Sequence, residues 1–183
     1  MMLLCVSALW SNSWRPIPPS AYRHRGLRRN GGARLGHRRL DALEADGCNI
    51  VLLLCTGAFE GLRLKRGFLL EPDRIIPPAV AGLIGDRQLG VIVPVASQIT
   101  SESGKWKALA RPPIFAAASP YTDALDDVAA TGVCLSRRGA QALLLDCIGF
   151  VETHRRQLAQ ASGLPVILPN ALMAKIVGEM VAG

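Results

Sequence analysis

The chain has 183 residues, half of them apolar and 19% charged, enough for one ordinary domain or two small lobes and too apolar for global disorder. Only 5% are aromatic and no apolar run reaches the ~18 residues of a membrane helix, so a stacking platform for single-stranded nucleic acid and a membrane partner are both disfavoured. The formal charge of +7 would point to nucleic acid if it were spread along the chain.

It is not spread. Residues 1–40 carry eight arginines and no lysine or acid, the first acid being Asp41. The rest of the chain sets the other 13 Lys and Arg against all 14 acids, so it is almost neutral. The basic segment reads SNSWRPIPPSAYRHRGLRRNGGARLGH between residues 11 and 37, with no usable periodicity. Arginine runs meet phosphate well, so one reading is a nucleic-acid arm. An Arg-rich, acid-free leader also fits a transit peptide, whereas a signal peptide lacks its positive start. A fourth reading is a wrong start or an out-of-frame stretch of GC-rich DNA.

From about residue 38 the pattern changes to alternating helices and short apolar strands, as in a parallel sheet covered by helices. A short amphipathic helix is predicted over 38–46, closed by Gly47. Asn49 to Cys55 (NIVLLLC) is a continuous apolar run, as expected of a strand buried on both faces. Residues 67–71 suggest a short strand. Asp73 would cap a helix to Ile84, with Gly85 as its stop and Pro77 and Pro78 bending it. GVIVPV (90–95) is the next buried strand, ended at Pro94, and 97–110 a polar helix or loop. A strand over 114–118 leads to a helix over 122–138, interrupted at Gly132. Ala140 to Cys147 is a third buried strand, followed by a helix over 151–161 that Gly163 ends. A strand over 165–168 and a helix over 171–181 complete the chain.

Two cysteines stand out. LLLCTG (52–57) and LLLDCIG (143–149) both end a buried strand, and each cysteine is followed by one residue and a glycine. In open α/β sheets, ligands bind beyond the carboxyl ends of strands. The first amides of the helix after Cys147 would favour its thiolate. Gly57 and Gly149 would let backbone N–H groups approach a carboxylate. A single cysteine in an apolar strand is ordinarily a small core residue, and Cys5, Cys48 and Cys134 are read that way. Five cysteines without CxxC or scaffold spacing suggest no metal site and a reducing, cytoplasmic setting. His154 reads as a surface residue and Asp146 as a structural hydrogen-bonding group. Glu60 could pair with Arg63 on a loop. Glu71 and Arg74, in FLLEPDR, are candidates to line a cleft.

VLLLCTGAFEGL, GFLLEPDRIIPPAVAGLI, LGVIVPVASQ, KW, PP, LLLDCIGF, HR and LPVILPNALMAKIVGEMV follow one another in the order expected of the AroM family. Over about residues 38–183 the chain resembles that family, which is similar to the aspartate/glutamate racemase superfamily. The resemblance implies an α/β fold of two pseudo-symmetric lobes of parallel sheet covered by helices, with a site between them. It also implies that a cysteine from each lobe, here Cys55 and Cys147, faces a substrate Cα without any cofactor. One thiol would be base and the other acid, on opposite faces of the carbon. Such transfer wants the sulfurs roughly 7 Å apart. Thr56, Gly57, Ser97, Gly149 and nearby amides are the candidate donors to a substrate carboxylate and its enediolate. Decarboxylation or cis–trans isomerisation by a cysteine stays open.

Relatives carry further strands before the first cysteine strand, where this chain has its basic segment. That favours a misread start or frameshift, an incomplete first lobe and an uncovered edge on the strand at 49–55. The expected division is a basic segment 1–37, a partial first lobe 38–89 and a second lobe 90–183, with packing of the last helix back on the first lobe admitted. The leading reading is thus a racemase- or isomerase-like protein acting on a small carboxylate, inactive if the N-terminal loss is real, with a homo-oligomer admitted. The alternatives are a non-catalytic small-ligand-binding protein of the same fold and a basic-arm nucleic-acid binder.

Overall fold

The computed structural model describes residues 3–6 and 32–181. Most of the basic segment, and the nucleic-acid, transit-peptide and frameshift readings that rest on it, lie outside the described residues. The chain is α/β and divides into two units: the chain up to Pro72 together with Lys175 onward, and Asp73–Ala174.

In the first unit the elements are β1 (Leu3–Cys5), α1 (Gly32–Ala45), β2 (Ile50–Leu53) and β3 (Phe68–Leu70), in sheet order β1-β2-β3. The apolar run expected as one long strand is paired only to Leu53. Both neighbours run out there, with Leu3 opposite Leu53 on one side and Leu70 opposite Leu52 on the other. The edge of β2 expected to be bare carries β1 in antiparallel pairing. Buried Leu40 of α1 packs with Cys48, Val51, Leu62 and Leu64 to form this unit's core. Two cysteines depart from expectation here. Cys5 and Cys48 are joined by a disulfide across 43 residues, not held as separate core thiols. The β1–β2 register decides this, because Cys5 lies opposite Val51 and Cys48 stands two residues before β2 begins.

Glu44, near the end of α1, ties the loop ahead of β3. Its carboxylate accepts the backbone N–H groups of Lys65 (3.0 Å), Arg66 (2.8 Å) and Gly67 (3.1 Å). These bonds, led by that of Arg66, hold its pKa below the ordinary 4.5. A depressed carboxylate adds stability above its unfolded pKa and loses it as pH falls through the folded value. The wild-type unfolding midpoint should therefore drop as pH falls below about 4.5. Glu44→Gln should flatten that part of the profile in a thermal-melt series. Equal slopes for the two proteins would mean that this carboxylate contributes nothing.

The second unit holds α2 (Pro72–Ile84, from Asp73), β4 (Leu89–Val93), α3 (Ser97–Glu102) with a 3-10 turn Ser103–Trp106, β5 (Ile114–Ala117) and α4 (Leu125–Arg137). After these come β6 (Ala142–Leu145), α5 (Glu152–Ser162), β7 (Val166–Ile167) and the first part of α6 (Pro169–Val181). Its four strands are all parallel, in the order β5-β4-β6-β7. The central β4 and β6 are buried along their whole length, as their unbroken apolar runs require. The helix α2 begins at Pro72, so Asp73 lies in its first turn and does not cap it. It also runs through Pro77 and Pro78, whose fixed φ is compatible with helix although two backbone donors are lost.

Nor does Gly132 interrupt α4, contrary to expectation; it is a contact point. A Cβ there would land on the buried Leu158 side chain of α5 and come within 3.2 Å of Leu143. Gly132→Ala sets a helix-propensity gain of about 0.5–1 kcal/mol against overpacking of about 1–3 kcal/mol. Leu158 is fully buried in the core cluster, so room for the added methyl must come from packed neighbours and a net loss is expected in chemical unfolding. A stabilised variant would show that the α4–α5 contact has slack.

Candidate functional site

Each unit places one cysteine that is outside any disulfide in the same local setting. Cys55 stands two residues past Leu53, the last residue of β2, and Cys147 two residues past Leu145, the last residue of β6. Both are half-buried. In each case the glycine two residues later lies against the sulfur. A Cβ on Gly57 would be 3.7 Å from Cys55 Sγ, and the N–H of Gly149 lies 3.4 Å from Cys147 Sγ.

The geometry around Cys147 is built in some detail. The Asp146 N–H still bonds Ile92 O at 2.8 Å, which continues the sheet edge to the residue before the thiol. A turn then closes, with Phe150 N–H donating to Cys147 O at 3.3 Å. From α6, Asn170 Nδ2 donates to Phe150 O (2.8 Å) and Ile148 O (3.4 Å), which fixes the turn from its far side. Phe150 is fully buried in the core with Leu143, Leu145 and Leu158. The thiol is thus held by backbone bonds, one amide side chain and a packed ring.

The residue before α5 is tied locally: its N-cap, Val151, donates its N–H to His154 Nδ1 at 3.1 Å. His154 also stacks edge-on against Phe150, with ring centroids 5.4 Å apart, and acts as a cap for α5. Against Cys147 Sγ lie the Gly149 N–H, which donates to it, and the Tyr121 hydroxyl, whose oxygen is 3.8 Å away in a contact that can run in either direction. The loop 119–123 carries Tyr121, and two bonds order it: Ser119 N–H to Asp123 Oδ2 (2.8 Å) and Tyr121 N–H to Ser119 Oγ (3.2 Å).

Beneath Cys147 lies a buried ion pair. Asp146 is 4% exposed, and its Oδ2 is 2.5 Å from Lys105 Nζ. Lys105 comes from the 3-10 turn after α3; Glu102 Oε2 is 3.7 Å from it, and the ring of buried Trp106 lies 5.3 Å away. Asp146 and Cys147 point to different surroundings, as successive residues leaving a strand do.

Of the other sequence candidates, Thr56 is half-buried beside Cys55. Ser97 is exposed and opens α3 at the carboxyl end of β4. Glu71 is buried at the end of β3, and Arg74 is exposed on α2. Cys134, expected in the core, is exposed on α4, because the buried stripe of that helix passes through Val128, Ala129, Gly132 and Leu135. Residues that sequence reasoning missed are Tyr121, Asn170 and Lys105. A loop tyrosine carries no pattern, and Lys105 had only the KW pair to mark it. Among the described residues, no three His, Cys, Asp or Glu side chains gather as metal ligands would. No helix among them is long and apolar enough to cross a membrane.

The family model described as AroM protein matches residues 29–181. Among solved structures, an aspartate racemase from Picrophilus torridus is similar over 91% of this chain and 75% of its own, at 16% identity and a TM-score of 0.55. An allantoin racemase from Pseudomonas fluorescens matches over 82% of this chain and 72% of its own, at 13% identity and a TM-score of 0.48. The curated proteins contain no match to the chain. At such identities the likeness to the aspartate racemase is one of fold.

Proposed function

Given that the chain belongs to the AroM family, we propose that it moves a proton at the α-carbon of a small carboxylate, with Cys55 and Cys147 as the acid–base groups and no cofactor. One observation carries this reading. Two cysteines outside any disulfide stand at the same step beyond two buried strands, each backed by a glycine at its sulfur. A fold shared with a protein described as an aspartate racemase supports the reaction class.

The chemistry is simple to balance. A thiolate takes the Cα proton: the C–H bond breaks, an S–H bond forms, and the electron pair moves into the enediolate. The second thiol returns a proton to the other face, and the roles reverse in the other direction. The enediolate needs oriented donors, for which Thr56, Ser97 and the amides beside the two glycines are the candidates. The cytoplasmic setting goes with this reading in part. Three of the five cysteines remain thiols, while the Cys5–Cys48 disulfide weighs against a strongly reducing compartment.

The test is exchange. The full chain is incubated in deuterated water with amino acids of both hands and with 2-hydroxy acids, and loss of the Cα proton is followed by NMR. Exchange in any of them supports the reading. Saturable binding of a carboxylate with no exchange anywhere would assign a non-catalytic binding protein of the same fold.

A further inference from the structure

Tyr121 is 71% exposed, with its hydroxyl oxygen 3.8 Å from Cys147 Sγ. We propose that Tyr121 is a further catalytic residue, whose hydroxyl donates to the Cys147 sulfur while that sulfur is the thiolate. Resting on the proton-transfer reading for its consequence, this deepens the same site.

Two independent features carry it. The first is the pair of donors. The Gly149 N–H at 3.4 Å and the Tyr121 O–H at 3.8 Å both reach one sulfur, at distances suited to its size. Hydrogen bonds to an anion are stronger than those to a neutral acceptor, so groups placed against the sulfur act most while it carries charge in the transfer step. The second is the seat for the ring. A Cβ at Gly149 would land on the Tyr121 hydroxyl end, with the ring carbon Cε1 at 2.8 Å. No positive φ requires glycine at 149, since the glycines with positive φ are at other positions. What a side chain at 149 would meet is the end of the Tyr121 ring, which would have to move aside. The repeated glycine after the cysteine therefore serves in this unit to admit a side chain, and the N–H it keeps goes to the sulfur.

The loop holding Tyr121 suits the role. Asp123 and Ser119 fix its backbone, so the hydroxyl is delivered by an ordered turn. Removing the hydroxyl while keeping the ring isolates the effect. With Tyr121→Phe, alkylation of Cys147 by iodoacetamide at about pH 7.5, followed by mass spectrometry, should slow about twofold to fourfold, the loss of one such bond being partly offset by the greater nucleophilicity of a less stabilised thiolate. Exposed Cys134 is the internal reference and should label at an unchanged rate. Gly149→Ala, which displaces the ring, should slow Cys147 in the same way.

Wild-type labelling of Cys147 in Tyr121→Phe would overturn the proposal, whatever the exchange assay shows. Slowed labelling together with no Cα exchange by the wild-type protein would leave the Tyr121–Cys147 bond standing and remove the proton-transfer reading. Slowed labelling with exchange reduced in parallel supports both.

Discussion

Cys147→Ser is expected to lower Cα proton exchange by about 10²–10⁴-fold, the usual worth of a positioned acid–base group. Cys55→Ser should do the same. Serine keeps nearly the same shape, but its hydroxyl ionises far too weakly to take a Cα proton near neutral pH. Both cysteines are half-buried past strand ends, Cys147 at the margin of its unit's core, and serine nearly keeps their shape, so neither change should unfold its unit. The double variant should lose little more than either single one, because a two-sided transfer is already broken by one loss. Deuterium incorporation measured for the three variants decides it. Exchange at the wild-type rate in both single variants would reject the two-thiol mechanism. Loss in only one would assign a single proton donor, as in a decarboxylation.

Lys105→Met is expected to cost about 3–5 kcal/mol, the penalty for leaving a buried charge without its partner. Asp146 is 4% exposed and Lys105 Nζ sits 2.5 Å from its carboxylate, so water cannot replace the lost ammonium. Glu102, 3.7 Å from the same nitrogen, would lose its neighbour too. The double variant Lys105→Met with Asp146→Leu should recover most of the loss, because two apolar groups of similar size need no pairing. Urea unfolding of the three proteins checks this. A loss under about 1 kcal/mol in the single variant would mean that the pair is solvated in solution and behaves as a surface bridge. The pair also lies directly before Cys147, so its loss should lower exchange along with stability.

The central strands were legible because a strand buried on both faces must be apolar throughout. NIVLLLC, GVIVPV and ALLLDC each contain one, and the structure shortens each to the length over which its neighbours pair. The helix stops at Gly85 and Gly163 were legible for a local reason: both adopt positive φ, 62° and 70°, which glycine tolerates without strain. The strand Leu3–Cys5 was not legible. Three apolar residues ahead of a Pro- and Arg-rich stretch become a strand only when β2 supplies the hydrogen bonds. The Cys5–Cys48 pairing follows from that register and could not be read from a spacing of 43. The sequence also misjudged Cys134, because an apolar neighbourhood does not say which way a helix faces.

By itself, the sequence determined the family, the α/β class and the two cysteines that follow buried strands, since these depend on local pattern and on the order of motifs. Only the tertiary structure decided what surrounds Cys147. Tyr121, Asn170, Lys105 and Phe150 come from a loop after β5, the start of α6, a turn after α3 and the turn itself. Their convergence is set by strand order β5-β4-β6-β7, which brings distant segments to one sheet edge. No periodicity in the chain encodes such a meeting. The basic segment that gave the chain its +7 contributes to the described structure only through Leu3–Val6 and the first part of α1.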